Sequence, residues 1–296
     1  MPTVRTTYLH IAYEEWGDPS APAIVLVHGW PDDVHCWEQV VPHLTRTHRV
    51  IAPHLRGHGR TRFRSEDTPR SGQIAALGHD LAEFLDAVGV QRPIVVGHDW
   101  GARAGYVVGA LYAHLLRGLV AISAGYGSSG PRQRISYELA HAYWYEWFVK
   151  TERGRRAFEE DRADICRYLW QSWSPGWHFD DAEFETASKA WDNDDWPNIT
   201  VHAYLQRWGE APGAPEYDEL ENRLSLVPSV KVPTLVLHGN DDADNLPHTT
   251  EGKEAHFVNG YQRRLLDGVG HFVPREAPTP TAAAILEFAA GISTEE

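Results

Sequence analysis

Cysteine is scarce in this chain. Cys36 and Cys166 are the only two in 296 residues, too few for a disulfide framework and without the spacing of a metal-ligand cluster. Long apolar runs are missing as well. No segment approaches the roughly 20 residues that a membrane-spanning helix needs, and Met1 to Gly17 mixes charged with apolar residues instead of forming a signal-peptide core. These absences predict a cytosolic protein with buried or free thiols and no membrane partner. Positive charge is in short supply too: 27 Lys and Arg stand against 41 Asp and Glu, a net charge of −14. Such a surface repels polyanions, so no nucleic-acid partner is expected. No glycine-rich phosphate loop follows the early strands, and there is no internal repeat or low-complexity segment. No cofactor is expected, which leaves a small molecule and water as partners, with a homodimer left open.

What is present is a long soluble chain, 42% hydrophobic and 23% charged, with ample length to bury a core. Tyr8 to Glu15 alternates as an edge strand should. Ala23 to Val27 is a continuous β-branched run, the mark of a strand covered on both faces, and it ends in His28-Gly29-Trp30-Pro31. A helical stripe over Trp37 to Leu44, a strand over Arg49 to Ala52 and a glycine-containing loop, Leu55 to Arg60, come next. A helix is predicted over Ile74 to Val88, stopped by Gly89. Further buried runs are Pro93 to Val96, Gly118 to Ala124, Val232 to Gly239 and Gln262 to Leu266, with a last helix over Thr281 to Ala290. Strands alternating with helices predict an α/β fold with a mostly parallel sheet. Between them, from about Gly130 to Pro228, strand patterns vanish, and eight of the 12 tryptophans fall in this stretch. It reads as an inserted helical module with an aromatic inner face, which divides the core into 1–129 and 229–296.

The stretch that organises the chain is Val95-Val96-Gly97-His98-Asp99-Trp100-Gly101-Ala102. Small residues on either side let the backbone turn sharply from strand to helix and push the Asp99 side chain out at the apex, as in a nucleophile elbow. A carboxylate there is a poor nucleophile towards amides. It can, however, displace a leaving group from saturated carbon and form an alkyl ester.

Taken in order, His28-Gly29-Trp30-Pro31, Gly97-His98-Asp99-Trp100-Gly101, Gly239-Asn240-Asp241-Asp242 and Gly270-His271-Phe272 resemble the α/β-hydrolase fold. They most resemble its aspartate-nucleophile branch of epoxide hydrolases and haloalkane and haloacetate dehalogenases. The resemblance implies Asp99 as nucleophile, His271 as the base that activates water, and Asp242 as the acid that orients the imidazole. Asp241 and Asp244 lie close enough to be mistaken for that acid, and the cluster lacks the ligand alternation of a Ca²⁺ loop. The backbone N–H groups of Trp30 and Trp100 are expected to form the oxyanion hole, with Pro31 shaping the turn as a cis peptide. Trp100, Pro31, Trp144 and Trp147 are expected to line the substrate.

The leaving group separates the branch members. An epoxide leaves as an alkoxide and needs hydroxyl donors; Tyr204 resembles the second of two cap tyrosines in epoxide hydrolases, and Tyr145, in the run Tyr143 to Phe148, is taken as the first. Haloalkane dehalogenases commonly carry Asn where this chain has Trp30. Arg103 resembles one of two carboxylate-binding arginines in haloacetate dehalogenases, but the second position is Trp100, so a helix-surface ion pair is expected for Arg103. His54, His58 and His248 read as polar loop residues, not as metal ligands. The expectation is an epoxide hydrolase acting on an apolar or aromatic substrate. Dehalogenation is the alternative, and a non-catalytic small-molecule receptor of the same fold ranks lower because the triad is complete.

Overall fold

The computed structural model describes residues 1–127 and 134–292. Its strands are β1 (Thr3–Arg5), β2 (Leu9–Trp16), β3 (Ala23–Val27), β4 (Arg49–Pro53), β5 (Arg62–Phe63), β6 (Ile94–His98), β7 (Gly118–Ile122), β8 (Thr234–Gly239) and β9 (Tyr261–Leu266). Its helices are α1 (Val41–Leu44), α2 (Ile74–Val88), α3 (Trp100–Leu111), α4 (Tyr137–Ala142), α5 (Trp144–Phe148), α6 (Glu152–Glu160), α7 (Arg162–Trp173), α8 (Asp181–Ser188), α9 (Trp196–Arg207), α10 (Asp218–Leu224), α11 (Val273–Glu276) and α12 (Pro278–Gly291). The sheet runs β1-β2-β4-β3-β6-β7-β8-β9, with β5 paired to β2. From β4 to β9 every pairing is parallel, while β2 joins β4 antiparallel.

Covering on both faces explains the uninterrupted apolar strands. Side chains alternate across a strand, so Val25, Val27 and Val95 enter the core shared with α2 and α3, while Ile24, Leu26, Ile94 and Val96 enter the opposite core against α12. Helix α2 keeps the predicted bounds and ends at Gly89, whose φ of +69° is the left-handed stop a glycine supplies. The helix expected over Trp37 to Leu44 is instead a 3₁₀ turn, Val34–Trp37, followed by the short α1. Pro42 is the reason: without an N–H it starts a helix and cannot continue one. Two short antiparallel edge strands, β1 and β5, carry too few residues for a readable alternation.

The whole stretch between β7 and β8 contains helices and 3₁₀ turns but no strand among the described residues. Its expected start near Gly130 falls outside them. Among the described residues no helix is long and apolar enough to cross a membrane.

Helices α2 and α3 approach closely at Gly78, where an added Cβ would run into the Val107 side chain. Gly78→Ala should therefore cost about 1–3 kcal/mol of stability, read as a lower midpoint in urea unfolding with an unchanged slope.

Candidate active site

Asp99 sits between β6 and α3 with φ +48° and ψ −110°, outside the regions that side-chain-bearing residues favour. The neighbouring glycines leave room for it. A Cβ at Gly101 would strike the Val27 carbonyl, one at Gly97 would strike the backbone of Gly101, and one at Gly29 would come within 2.6 Å of the Asp99 Cβ. The turn is fastened by the Asp99 N–H donating to the Ile122 carbonyl at 3.0 Å. The Trp30 N–H donates to Asp99 Oδ1 at 3.0 Å, one residue ahead of a Trp30-Pro31 peptide that is cis. Trp100 opens α3, so its N–H belongs to the first turn, which has no carbonyl of its own helix to satisfy it.

His271 follows β9 in a loop held from two sides. His98 Nε2 and Ser123 Oγ both donate to the His271 carbonyl at 2.9 Å, while the His271 N–H donates to Ser174 Oγ at 2.8 Å. Gly270 is needed here because a Cβ would lie 2.5 Å from that same Oγ. The imidazole Nδ1 donates to Asp242 Oδ2 at 3.0 Å, and Nε2, fully buried, has no protein partner. Asp242 also accepts the N–H groups of Asp244 and Asn245 and the Nε2–H of His238 at 3.0 Å. The sequence reading passed over His98, Ser123, Ser174 and His238. Nothing in their spacing announces them, since each acts through contacts between distant elements.

Burial resists charge on His271, yet the carboxylates Asp242, Asp244 and Asp99 hold its pKa up at about 9. Burial likewise resists charge on Asp242, but the His271 and His238 partners carry its pKa well below the usual carboxylate range. Asp244 is the opposite case: burial, with Asp242, Asp99 and Glu146 nearby, pushes it well above. One ligand-type atom each from Asp99, Asp244 and His271 fall within 4.8 Å of one another.

Aromatic rings close over the carboxylate. The Trp30 indole is the hub, stacked on Trp100, Tyr145 and Trp196 at 5.8–6.1 Å and edge-on to Tyr204 at 5.1 Å, while its Nε1–H donates to Thr200 of α9 at 2.9 Å. Tyr145 meets Tyr204 edge-on at 5.2 Å. Tyr143 instead donates its hydroxyl to Asn245. Burial drives both Tyr145 and Tyr204 well above the usual tyrosine pKa, and the Asp99 charge adds to the effect on Tyr204. The Tyr145 hydroxyl donates to Glu146 at 3.2 Å. Pro31 accepts from Trp170 Nε1 at 2.8 Å, tying the turn to α7. A narrow pocket bounded by Ile74, Leu77, Trp100, Arg103, Tyr204 and Arg207 lies along the seam of α2, α3 and α9.

Other residues singled out in the sequence pack elsewhere or lie deeper than their spacing suggested. Trp147 packs on Trp208 at 4.3 Å, and Trp144 touches Tyr145, Phe148 and Tyr168. Neither ring pairs with Trp30, because Trp144 and Trp147, three apart on α5, share a face that differs from that of Tyr145, which does stack on it. Arg103 is no surface residue: it is buried and donates to Asn245 Oδ1 at 3.2 Å. His54 and His58 are buried as well, and desolvation lowers them to about 3 and about 4.

The pattern described as alpha/beta hydrolase fold matches residues 22–278. The chain belongs to the α/β-hydrolase family, and it is a hydrolase. It is similar to epoxide hydrolase A of Mycobacterium tuberculosis, 25% identical over 98% of this chain and 97% of that one. It is also similar to a fluoroacetate dehalogenase of a Burkholderia species, 25% identical over 91% and 87%. Among solved structures, a Klebsiella pneumoniae protein provisionally described as an epoxide hydrolase superposes with a TM-score of 0.92 at 34% identity, covering 98% of this chain and 97% of that one. This α/β hydrolase is thus similar to epoxide-hydrolase-like members of its family.

The imidazole charge has a consequence for stability. With a folded pKa of about 9 against an ordinary 6.5, protonated His271 stabilises the fold fully below pH 6.5, and that contribution is lost as pH rises through 9. Denaturant titrations of the wild type and His271→Gln should show their stability gap narrowing over this window; a constant gap would contradict the assignment.

Proposed function

We propose that this hydrolase opens epoxides to vicinal diols through an ester on Asp99. The reading rests on one arrangement above all: a carboxylate displayed on a strained turn, with a His271-Asp242 pair on one side and the Tyr204-Tyr145 pair, carried by α9 and α5, on the other. Asp99 attacks an epoxide carbon, and the ring oxygen leaves as an alkoxide that the two tyrosines hold. In this scheme the Tyr145 hydroxyl gives up its hydrogen bond to Glu146 when substrate binds. Helices α4 to α10 serve as the cap that excludes bulk water.

In the second step His271 takes a proton from water, and the hydroxide attacks the ester carbonyl. The Trp30 and Trp100 N–H groups stabilise the oxyanion. At rest His271 is held protonated chiefly by Asp242, with anionic Asp99 adding to the effect. Esterification removes that charge, so the imidazole pKa falls when a base is required. The indole and phenol rings around Trp30 favour an apolar or aromatic substrate. Dehalogenation is the second reading, favoured by the buried Arg103 and by the likeness to the Burkholderia enzyme.

Single turnover in ¹⁸O-labelled water should place the label in Asp99 before it appears in product; direct labelling of the first-turnover diol would contradict an ester. His271→Gln should slow ester hydrolysis by about 10²–10⁴-fold and accumulate a mass adduct on Asp99. Measuring halide release beside diol formation separates the two readings. In the wild type the hydrolytic half-reaction should accelerate with pH until His271 is neutral, so an acid-side optimum for that step would count against its role as base.

A further inference from the structure

Asp244 is the one ionisable group at the reacting centre to which the scheme above gives no task. It is 1% exposed and stands 4.0 Å from His271 Nδ1 through Oδ2. A carboxyl oxygen of Asp244 also lies within 4.8 Å of both the Asp99 carboxylate and a His271 nitrogen. It thus lies beside both the Asp99 carboxylate and the imidazole.

Its neighbours show where a proton on this carboxyl resides. Asn245 Oδ1 accepts from the Tyr143 hydroxyl at 2.8 Å and from Arg103 Nη2 at 3.2 Å, which fixes the amide orientation. The Asn245 amide NH₂ must then point the other way, and it donates to Asp244 Oδ2 at 3.0 Å. Oδ2 is therefore the accepting oxygen, and Oδ1, buried and without a protein partner, is the oxygen open to hold a hydrogen. The charged groups around it are Asp99, Asp242, Glu146 of α5, His271, Arg103 of α3 and Arg207 of α9. Burial, Asp242, Asp99 and Glu146 disfavour its ionised form, and only His271 opposes them strongly.

We propose that Asp244 is a proton donor in ring opening, handing the hydrogen on its Oδ1 to the oxygen that leaves as Asp99 forms its ester. The proposal rests on the epoxide-hydrolase reading. As the Asp99 oxygen bonds to carbon and the carbon–oxygen bond of the ring breaks, the alkoxide takes the Asp244 proton, giving a hydroxyl and an Asp244 carboxylate. The new carboxylate stands beside the charged imidazole and takes the His271 proton, so Asp244 is an acid again, one anion fewer remains in the pocket, and His271 is the neutral base that the second step requires. In the second step water adds to the ester, its oxygen and one hydrogen forming the acid of Asp99 while His271 relays the other hydrogen to the departing alcohol oxygen. Asp99 then ionises, and its proton returns to His271, which restores the resting state. The tyrosines orient the oxygen, and the carboxyl supplies the hydrogen.

The test compares His271→Gln, in which the ester accumulates, with the double variant that adds Asp244→Asn. Asparagine keeps the shape, the neutrality and the acceptor for Asn245 but has no acidic proton. With styrene oxide, adduct formation on Asp99 should slow by about tenfold to a hundredfold, less than full loss of general acid catalysis because two tyrosines remain. With phenacyl bromide, whose bromide leaves without a proton, the two proteins should alkylate Asp99 at equal rates. Equal rates with styrene oxide would overturn the proposal, and so would equal slowing with both reagents, which marks a merely structural role. Failure of His271→Gln itself to form any adduct with styrene oxide or 1,2-epoxyoctane would overturn the epoxide-hydrolase reading beneath it. Should the thermal melt show Asp244→Asn to be unfolded, Asp244→Ser is read by the same criteria.

Discussion

Every distance in the site is referred to one turn of backbone, the bend that carries Asp99 at a positive φ. A side chain there costs of order 1–3 kcal/mol, and the strain persists only because the surroundings admit no other path. Gly97 lets the start of α3 fold back over the strand, Gly101 lets it pass the end of β3, and Gly29 lets the neighbouring turn come up against Asp99 itself. The N–H of Trp30 then meets the carboxylate. Glycine here is a statement about contact distance, and each of the three serves a different pair of elements.

Around that turn the electrostatics are crowded. Asp99, Asp242, Asp244 and Glu146 lie near a single imidazole and the guanidinium groups of Arg103 and Arg207. In a desolvated site so many carboxyls cannot all ionise. The structure divides them by partner. Asp242 has two histidines and two backbone N–H donors and stays charged. Glu146 has Arg207 at 2.6 Å. Asp244 has a single amide donor, and burial with its acidic neighbours pushes its pKa well above the usual carboxylate range.

The helices between β7 and β8 complete this arrangement as well as covering it. Ser174, just after α7, fixes the His271 loop, and the Trp173 carbonyl accepts from Ala243 beside Asp242. Thr200 and Pro31 tie the Trp30 turn to α9 and α7. Two loops of the core are thus positioned partly by hydrogen bonds to residues far away in the chain, so loosening the helical layer would disturb the histidine as well as the binding cavity. The aromatic layer has the same double character, since the Trp30 ring packs under the tyrosines while its backbone N–H reaches Asp99.

Local patterns were sufficient for the α/β class, for most strands, for α2 with its terminal glycine, and for the glycine-flanked Asp99, because each depends on neighbours within a few residues. Their order along the chain also pointed to His271 and Asp242. The sequence could not reveal that Arg103, His54 and His58 are buried, that Tyr145 and not Tyr143 meets Tyr204, that Trp144 and Trp147 face away from the hub, or that Ser174 and His238 brace the triad. Nor could it show how differently Asp242 and Asp244, two residues apart, are partnered. Those outcomes depend on which distant groups share a desolvated space. Spacing along a chain determines turns and faces, whereas burial and hydrogen-bond partners, and with them the protonation of each acid, exist only once the sheet and the helical layer have closed on one another.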